Sequence, residues 1–367
     1  MKVRTLTLRE IRLRLLSPFE TSFGTSDLRR ILIVEVEADG VTGWGESTAG
    51  ENPFYSYETV ETAWLILRDY LWPMVRGKTI EAARVWDLLR GVRGHNMAKA
   101  ALETAIWDAE AKQKSLSLAK LLGGSRAQIP CGVSIGIQPT MASLLARVEE
   151  ALAAGYQRIK IKIKPGLDID PVRSLRERFP RARLMVDANS AYQLEDAALL
   201  KQFDQFQLMM IEQPLGWDDI HSHAQLQRQL ETPICLDECI ESVEHARAAI
   251  ETNACRIINI KLGRVGGHTA ARRMHDLCLG KSIPVWCGGM LESGIGRAHN
   301  IAMSSLANFS LPGDISASRR YWTEDIIAPE VEVSGEGTIR VPSAPGIGFA
   351  IRLDRIASLT KRHEVLE

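Results

Sequence analysis

The feature that most constrains this chain is a set of short apolar runs, each ending in charged residues that a buried strand would normally exclude. They are Ile159–Lys164 (IKIKIK), Leu184–Asn189 (LMVDAN), Met209–Pro214 (MMIEQP) and Ile234–Glu238 (ICLDE), with Ile257–Leu262 (IINIKL) as a fifth. Counted from Lys164 through Asp187, Glu212 and Asp237 to Lys261, the charged ends recur at intervals of 23, 25, 25 and 24 residues. Such an interval suits one strand, one helix and two loops, the βα unit of a parallel sheet. Successive units that each carry a charge at the strand's C-terminal end close most simply as a (β/α) barrel, where those ends share one site. Three carboxylates and three lysines are then predicted to converge on one mouth.

At 367 residues the chain exceeds what one core usually serves, so a barrel plus a smaller domain is expected. Lys plus Arg (45) equals Asp plus Glu (45), which gives no footprint for nucleic acid or an anionic membrane. No apolar run approaches the length of a membrane span, and the N-terminus MKVRTLTLREIRLRL alternates charged and apolar residues, unlike a signal peptide. The six cysteines form no CxxC pair. Cys131, Cys235 and Cys287 sit in strand-like runs and read as small buried hydrophobes of a cytoplasmic protein.

In chain order, Lys2–Leu15, Ile31–Ala38 and Val41–Glu46 alternate as antiparallel strands, with a turn at Asp39-Gly40. Between the first two lies SPFETSFGTSD (17–27), read as a lid that presents Phe19 and Phe23 to a substrate. A second loop, STAGENPFYSY, spans 47–57. From Thr59 to Gly124 the pattern is helical: Ala98, Ala101, Leu102, Ala105, Ile106 and Ala109 recur at helical spacing. The βα alternation begins at Gln128–Gly136, the expected first barrel strand, and ends with strands at Pro284–Gly288 and around Phe309–Asp314. The tail Ala328–Asp354 alternates again and is expected to rejoin the N-terminal sheet. The implied domains are residues 1–125 (α+β cap), 126–325 (barrel) and 326–367 (return to the cap).

Asp187, Glu212 and Asp237 end three consecutive strands, a hard oxygen donor set that suits Mg²⁺, with Mn²⁺ as a stand-in. The absence of His and Cys at these strand ends argues against zinc. Lys162 and Lys164, two apart on one strand, share a face. Crowded in the barrel interior, like charge and desolvation would lower their pKa and yield a base. Lys261, from the sixth strand, lies across the barrel. Counter-ions for the three acids are the plainer reading of the lysines. His221-Ser222-His223 sits in a helical stretch, where residues two apart point to different sides, and reads as surface.

The order KxK–D–E–D–K, with DAN at 187–189, IEQP at 211–214 and DE at 237–238, resembles the muconate-lactonizing subgroup of the enolase superfamily. ALETAIWD (101–108) is similar to its capping-domain helix. Within the subgroup, KLGRVGG (261–267), WCGGMLESGIG (286–296), GDISASRRY (313–321) and the pair Phe19 and Phe23 resemble o-succinylbenzoate synthases of the branch that includes N-succinylamino acid racemases. The resemblance covers nearly the whole chain. It implies an α/β fold, a TIM-like (β/α)₇β barrel with an α+β capping domain.

By residue, the resemblance implies Asp187, Glu212 and Asp237 as metal ligands, Lys164 as the base, Lys162 as its pKa partner and Lys261 as enediolate stabiliser or opposite-face acid/base. Ser134, Asn189, Gly289 and Met290 would line the substrate pocket, and Arg264 matches the racemase-capable branch. The implied reaction is syn-dehydration of 2-succinyl-6-hydroxy-2,4-cyclohexadiene-1-carboxylate to o-succinylbenzoate, a menaquinone-pathway step. N-succinylamino acid racemisation is the alternative and muconate-type cycloisomerisation a third reading. A homo-oligomer acting on a small-molecule carboxylate is expected. Two departures stand out. Gly50 occupies a position where racemases carry a bulky apolar residue, and Asp314-Ile315-Ser316 replaces the DxD of dipeptide epimerases.

Overall fold

The computed structural model describes residues 1–367. Its N-terminal part is an antiparallel sheet in the order Thr360–Leu366, Val3–Glu20, Thr25–Ala38, Val41–Ser47. The long helix Asn96–Gln113 lies across this sheet, and its alanines explain how closely. A Cβ on Gly43 would come within 2.0 Å of the Ala105 carbonyl oxygen, and one on Gly45 within 2.1 Å of that of Ala101. Two glycines on the strand and a stripe of alanines on the helix thus let two backbones touch. The helix is buried on nearly every side.

The second part is a parallel sheet of seven strands: Val133–Ile135, Ile159–Lys162, Leu184–Asp187, Ile211–Glu212, Ile234–Leu236, Ile257–Ile260 and Val285–Cys287, neighbours in chain order throughout. The eighth position is filled by residues 309–313. Phe309 bridges Val285 on one side and Gly313 bridges Cys131 on the other, both in parallel sense, which closes the barrel. Helices follow the strands, as at Met141–Ala153, where Thr140 and Ser143 cap the N-terminus reciprocally. This is the (β/α)₇β architecture. One apolar core runs from Ile31 and Val34 of the cap to Ile258 and Ile260 of the barrel. No helix is long and apolar enough to cross a membrane.

Two boundaries differ from expectation. The expected first barrel strand is split: Gln128–Pro130 leaves the barrel to pair antiparallel with Thr338–Arg340, and only Val133–Ile135 joins the parallel sheet. Pro130 has no N–H to offer a ladder, so the chain changes partners there. The tail also behaves otherwise than predicted. Its strands pair elsewhere, Ile327–Ala328 with Ala350–Ile351 and Thr338–Arg340 with Gln128–Pro130, and it is Thr360–Leu366 that returns to the cap, with Leu366 opposite Leu6.

The barrel interior is layered, because strand side chains alternate in direction. Met185, Met210, Cys235, Ile257 and Trp286 form a closed apolar plug near the strands' N-terminal ends. Two residues further along the same strands come Asp187, Glu212, Asp237 and Asn259, all buried. The plug thus seals one end and leaves a charged layer open to the other.

Candidate active site

Above the charged layer lies a cavity of about 330 Å³, within the range of small-ligand sites. Lys162, Asn189, Lys261, Gly289 and Met290 form its barrel side, and Phe19, Phe23, Gly50 and Tyr55 belong to the two cap loops that roof it. The first of these, expected as a loop over 17–27, is the end of a hairpin: Phe19 pairs with Ser26 and Glu20 with Thr25, which leaves only 21–24 as its turn. The roof loops touch each other through Phe23 and Tyr55, whose ring centroids are 6.1 Å apart.

The strand register decides which lysine is in the site. Lys162 is the last residue of the second barrel strand and pairs with Asp187, which in turn pairs with Glu212. Its Nζ lies 2.6 Å from Asp187 Oδ2 and 2.6 Å from Asn189 Oδ1. Lys164 lies beyond the strand end. It is half-exposed, absent from the cavity wall and paired with Glu20 of the first cap loop at 3.2 Å. The expectation that Lys164 reaches the cavity is therefore corrected: the strand stops two residues too early for it. Counting from Lys162 would have shown this, because Lys162 to Asp187 is 25 residues, in line with the 25, 25 and 24 that follow.

Lys160, not anticipated from sequence, is the other inward lysine of this strand. Its Nζ contacts Asp187 at 3.1 Å, Glu212 at 2.9 Å and Asp314 at 2.6 Å, and it sits 4.9 Å from the centre of the Trp286 ring. Lys261 donates to Asp237 Oδ2 at 2.7 Å and to the Tyr55 hydroxyl at 3.0 Å. Arg264 is buried beneath it, bonded to Asp237, to Tyr55 and to the carbonyls of Ile240 and Asn259. It supports the site without lining the cavity. Ser134 also stands outside the cavity wall, its buried Oγ without a partner. His223 is fully buried and not on the surface, whereas His221 is exposed, so the two do point to different sides.

The electrostatics follow from burial among paired charges. Burial alone would raise Asp187, but Lys162 and Lys160 outweigh it and hold the carboxyl well below the usual range. Glu212 is pushed up, first by burial and then by the charge of Asp187. Glu238 is raised to about 7 by burial and by Asp187. Burial lowers Lys160, yet Asp314, Glu212 and Asp187 outweigh it; burial likewise lowers Lys261, yet Tyr55, Glu238 and Glu212 outweigh it, so both lysines are raised. They rest as ammoniums held by carboxylates.

Do these residues fit a divalent cation? As they stand, the side chains are not gathered on one point, since each acid is turned onto a lysine or arginine. Their chemistry fits. Asp187 and Glu212 end adjacent strands in register, Asp237 follows two residues beyond Cys235, the register partner of Glu212, like charges crowd in a buried layer, and the neighbouring Glu238 keeps a buried Oε2 with no partner. Hard, buried, mutually repelling oxygens are the donor set that Mg²⁺ takes.

Comparison with known proteins agrees with this architecture. The family model for the mandelate racemase / muconate lactonizing enzyme N-terminal domain matches residues 3–123, and that for the enolase C-terminal domain-like family matches residues 143–355. The chain belongs to the enolase superfamily, whose enzymes use a divalent metal. It is 52% identical to an o-succinylbenzoate synthase of Geobacillus kaustophilus, over 98% of this chain and 96% of that one. It is 49% identical to an N-succinylamino acid racemase of Amycolatopsis sp, over 95% of each. A crystal structure of an enolase-superfamily member from Listeria innocua superposes with a TM-score of 0.96 at 44% identity, covering 100% of this chain and 99% of that one.

Proposed function

We propose that the protein is an o-succinylbenzoate synthase, removing water from 2-succinyl-6-hydroxy-2,4-cyclohexadiene-1-carboxylate in menaquinone biosynthesis. The observation that carries this reading is the placement of two lysines, Lys162 and Lys261, in the wall of one cavity above an acidic layer. They come from the second and sixth strands of an eight-position barrel, which are diametrically opposed. The implied chemistry is removal of a proton α to a carboxylate, and such a proton leaves only if the enediolate is stabilised.

In this scheme Lys162 takes the α-proton through its Nζ, oriented by Asn189. The electron pair moves into the carboxylate, and the ammonium of Lys261 faces the developing charge. The carbon–oxygen bond to the hydroxyl then breaks on the side from which the proton left. Lys162 returns its proton to the departing oxygen, so water leaves and the lysine is regenerated. Asp187, Glu212 and Asp237 would hold Mg²⁺, which when bound supplies positive charge to the substrate carboxylate and competes with the lysines for these acids. Phe19, Phe23 and Tyr55 roof the cavity and exclude water. The six cysteines are all free and buried, which supports a cytoplasmic setting.

N-succinylamino acid racemisation is the second reading, favoured by the same opposed lysines. One removes the α-proton and the other delivers a proton to the opposite face. Gly50 lies in the cavity wall, and a Cβ there would meet only the backbone of Asn52, at 3.3 Å. The pocket thus keeps room for a variable side chain. The test compares kcat/KM for dehydration with that for racemisation of a panel of N-succinyl amino acids, in the presence of Mg²⁺. Dehydration is expected to dominate. Faster racemisation would overturn the first reading in favour of the second, and no turnover of either kind would overturn both.

A further inference from the structure

The first cap loop is fastened to the barrel mouth at three points. The backbone carbonyl of Glu20 accepts from the Ile137 amide at 3.0 Å, just past the first barrel strand. This approach needs Gly136, because a Cβ there would lie 2.8 Å from that same carbonyl oxygen. The Glu20 carboxylate pairs with Lys164 at 3.2 Å, both side chains being half-exposed. The hydroxyl of Ser22 donates to the Asn189 carbonyl at 3.2 Å.

Asn189 is no passive anchor. Its backbone is left-handed, with φ of 42°, a conformation asparagine adopts more readily than most residues, and its amide donates to Asp187 Oδ1 at 3.0 Å. Its side chain accepts from Lys162 Nζ at 2.6 Å and donates to Glu238 Oε1 at 2.9 Å. The loop that carries Phe19 and Phe23 into the cavity roof thus grips the residue that orients the cavity lysine.

We propose that Lys164 and Ser22 are positioning residues: Lys164 latches the loop shut through Glu20, and Ser22 registers the shut loop against Asn189 and so against Lys162. The inference deepens the reading of Lys162 as the base. Lys164 makes no ion pair other than that with Glu20. A half-exposed pair contributes little to overall stability, and an interaction of that strength suits a contact that breaks and reforms with each turnover.

The test uses charge reversal in the full-length protein: Lys164→Glu, Glu20→Lys and the two together, with Ser22→Ala alongside. Hydrogen exchange of the Thr21 and Ile137 amides reports the latch directly, because Thr21 N bonds to Gly24 O within the loop and Ile137 N to Glu20 O across it. Each single reversal is expected to speed that exchange and raise KM, each by roughly fivefold, with the melting temperature unchanged. The double reversal should restore both to near the parent values. Ser22→Ala is expected to lower kcat by about three- to tenfold with a smaller change in KM, since it loosens the register and leaves the latch. Exchange that ignores the reversals, or that the double variant fails to restore, overturns the latch. Exchange that responds as stated in a protein with no dehydration or racemisation keeps the latch and overturns the functional reading.

Discussion

Lys162 lies level with Asp187 across two parallel strands, with 2.6 Å between its Nζ and Asp187 Oδ2, whereas Lys164 reaches away from the barrel to Glu20 at 3.2 Å. Two lysines that a sequence motif treats alike thus have different work. Lys162→Ala is expected to lower kcat for dehydration and racemisation by at least about 10³-fold, the scale of a lost general base. Lys164→Ala should retain kcat within roughly threefold. Steady-state kinetics on the two variants decide the assignment, and a dead Lys164→Ala beside an active Lys162→Ala would reverse it.

The contrast also shows what the sequence carries. The barrel was legible because five apolar runs end in charge at near-equal spacing, and Asp187, Glu212 and Asp237 are buried together where that spacing puts them. The cap helix was legible from its alanines, although the reason for them, contact with Gly43 and Gly45, is tertiary. Choosing among Lys160, Lys162 and Lys164 was harder, because an alternating strand gives all three one direction. Only the point where the strand ends separates them, and Lys162↔Asp187 pairing fixes that point. Lys160 was missed because a buried ammonium needs several partners, and these come from three other strand positions: Asp187, Glu212 and Asp314. Tyr55 was missed for a similar reason, since nothing in a polar loop marks the one hydroxyl that will meet Lys261.

Opposed lysines make a directional prediction for the other side of the cavity. Lys261→Ala should abolish racemisation, because one face of the α-carbon then lacks a proton donor. Exchange of the α-proton with solvent deuterium should persist for the enantiomer that presents its proton to Lys162. NMR of each N-succinyl amino acid enantiomer in D₂O reads this out. Loss of exchange for both enantiomers would mean that Lys261 is needed to stabilise the enediolate even for proton removal.

The acidic layer predicts a metal requirement with a readout independent of turnover. Chelator-treated protein should be inactive and regain activity with Mg²⁺ or Mn²⁺. Saturating Mg²⁺ should also stabilise the fold, by about 2.7 kcal/mol at a hundred times Kd. Glu212→Gln should lose most of that stabilisation, since it removes a charged oxygen from the middle of the three strand ends. Thermal denaturation with and without Mg²⁺ measures it, and an identical rise in Glu212→Gln would place the cation elsewhere.

His223 sets an acid limit on stability. It is fully buried, its Nε2 accepts from the Leu215 amide at 3.1 Å, and its Nδ1 bonds to the Asp219 carbonyl. Both ring nitrogens are committed to the neutral form, because a proton on Nε2 would meet an N–H. Burial pushes the ring down from 6.5 to about 4, with the Asp219 carbonyl and carboxylate pulling weakly the other way. With the folded pKa below the unfolded one, the unfolded chain binds the extra proton. Stability is therefore full above pH 6.5 and is lost as pH falls towards 4, by about 3 kcal/mol in total. The loss should fall on the turn 215–219, which follows the strand that carries Glu212. Urea denaturation across this window should show a slope one proton shallower in His223→Gln than in the parent. Equal slopes would mean that the ring already carries its proton in the folded state, or that other groups set the acid limit.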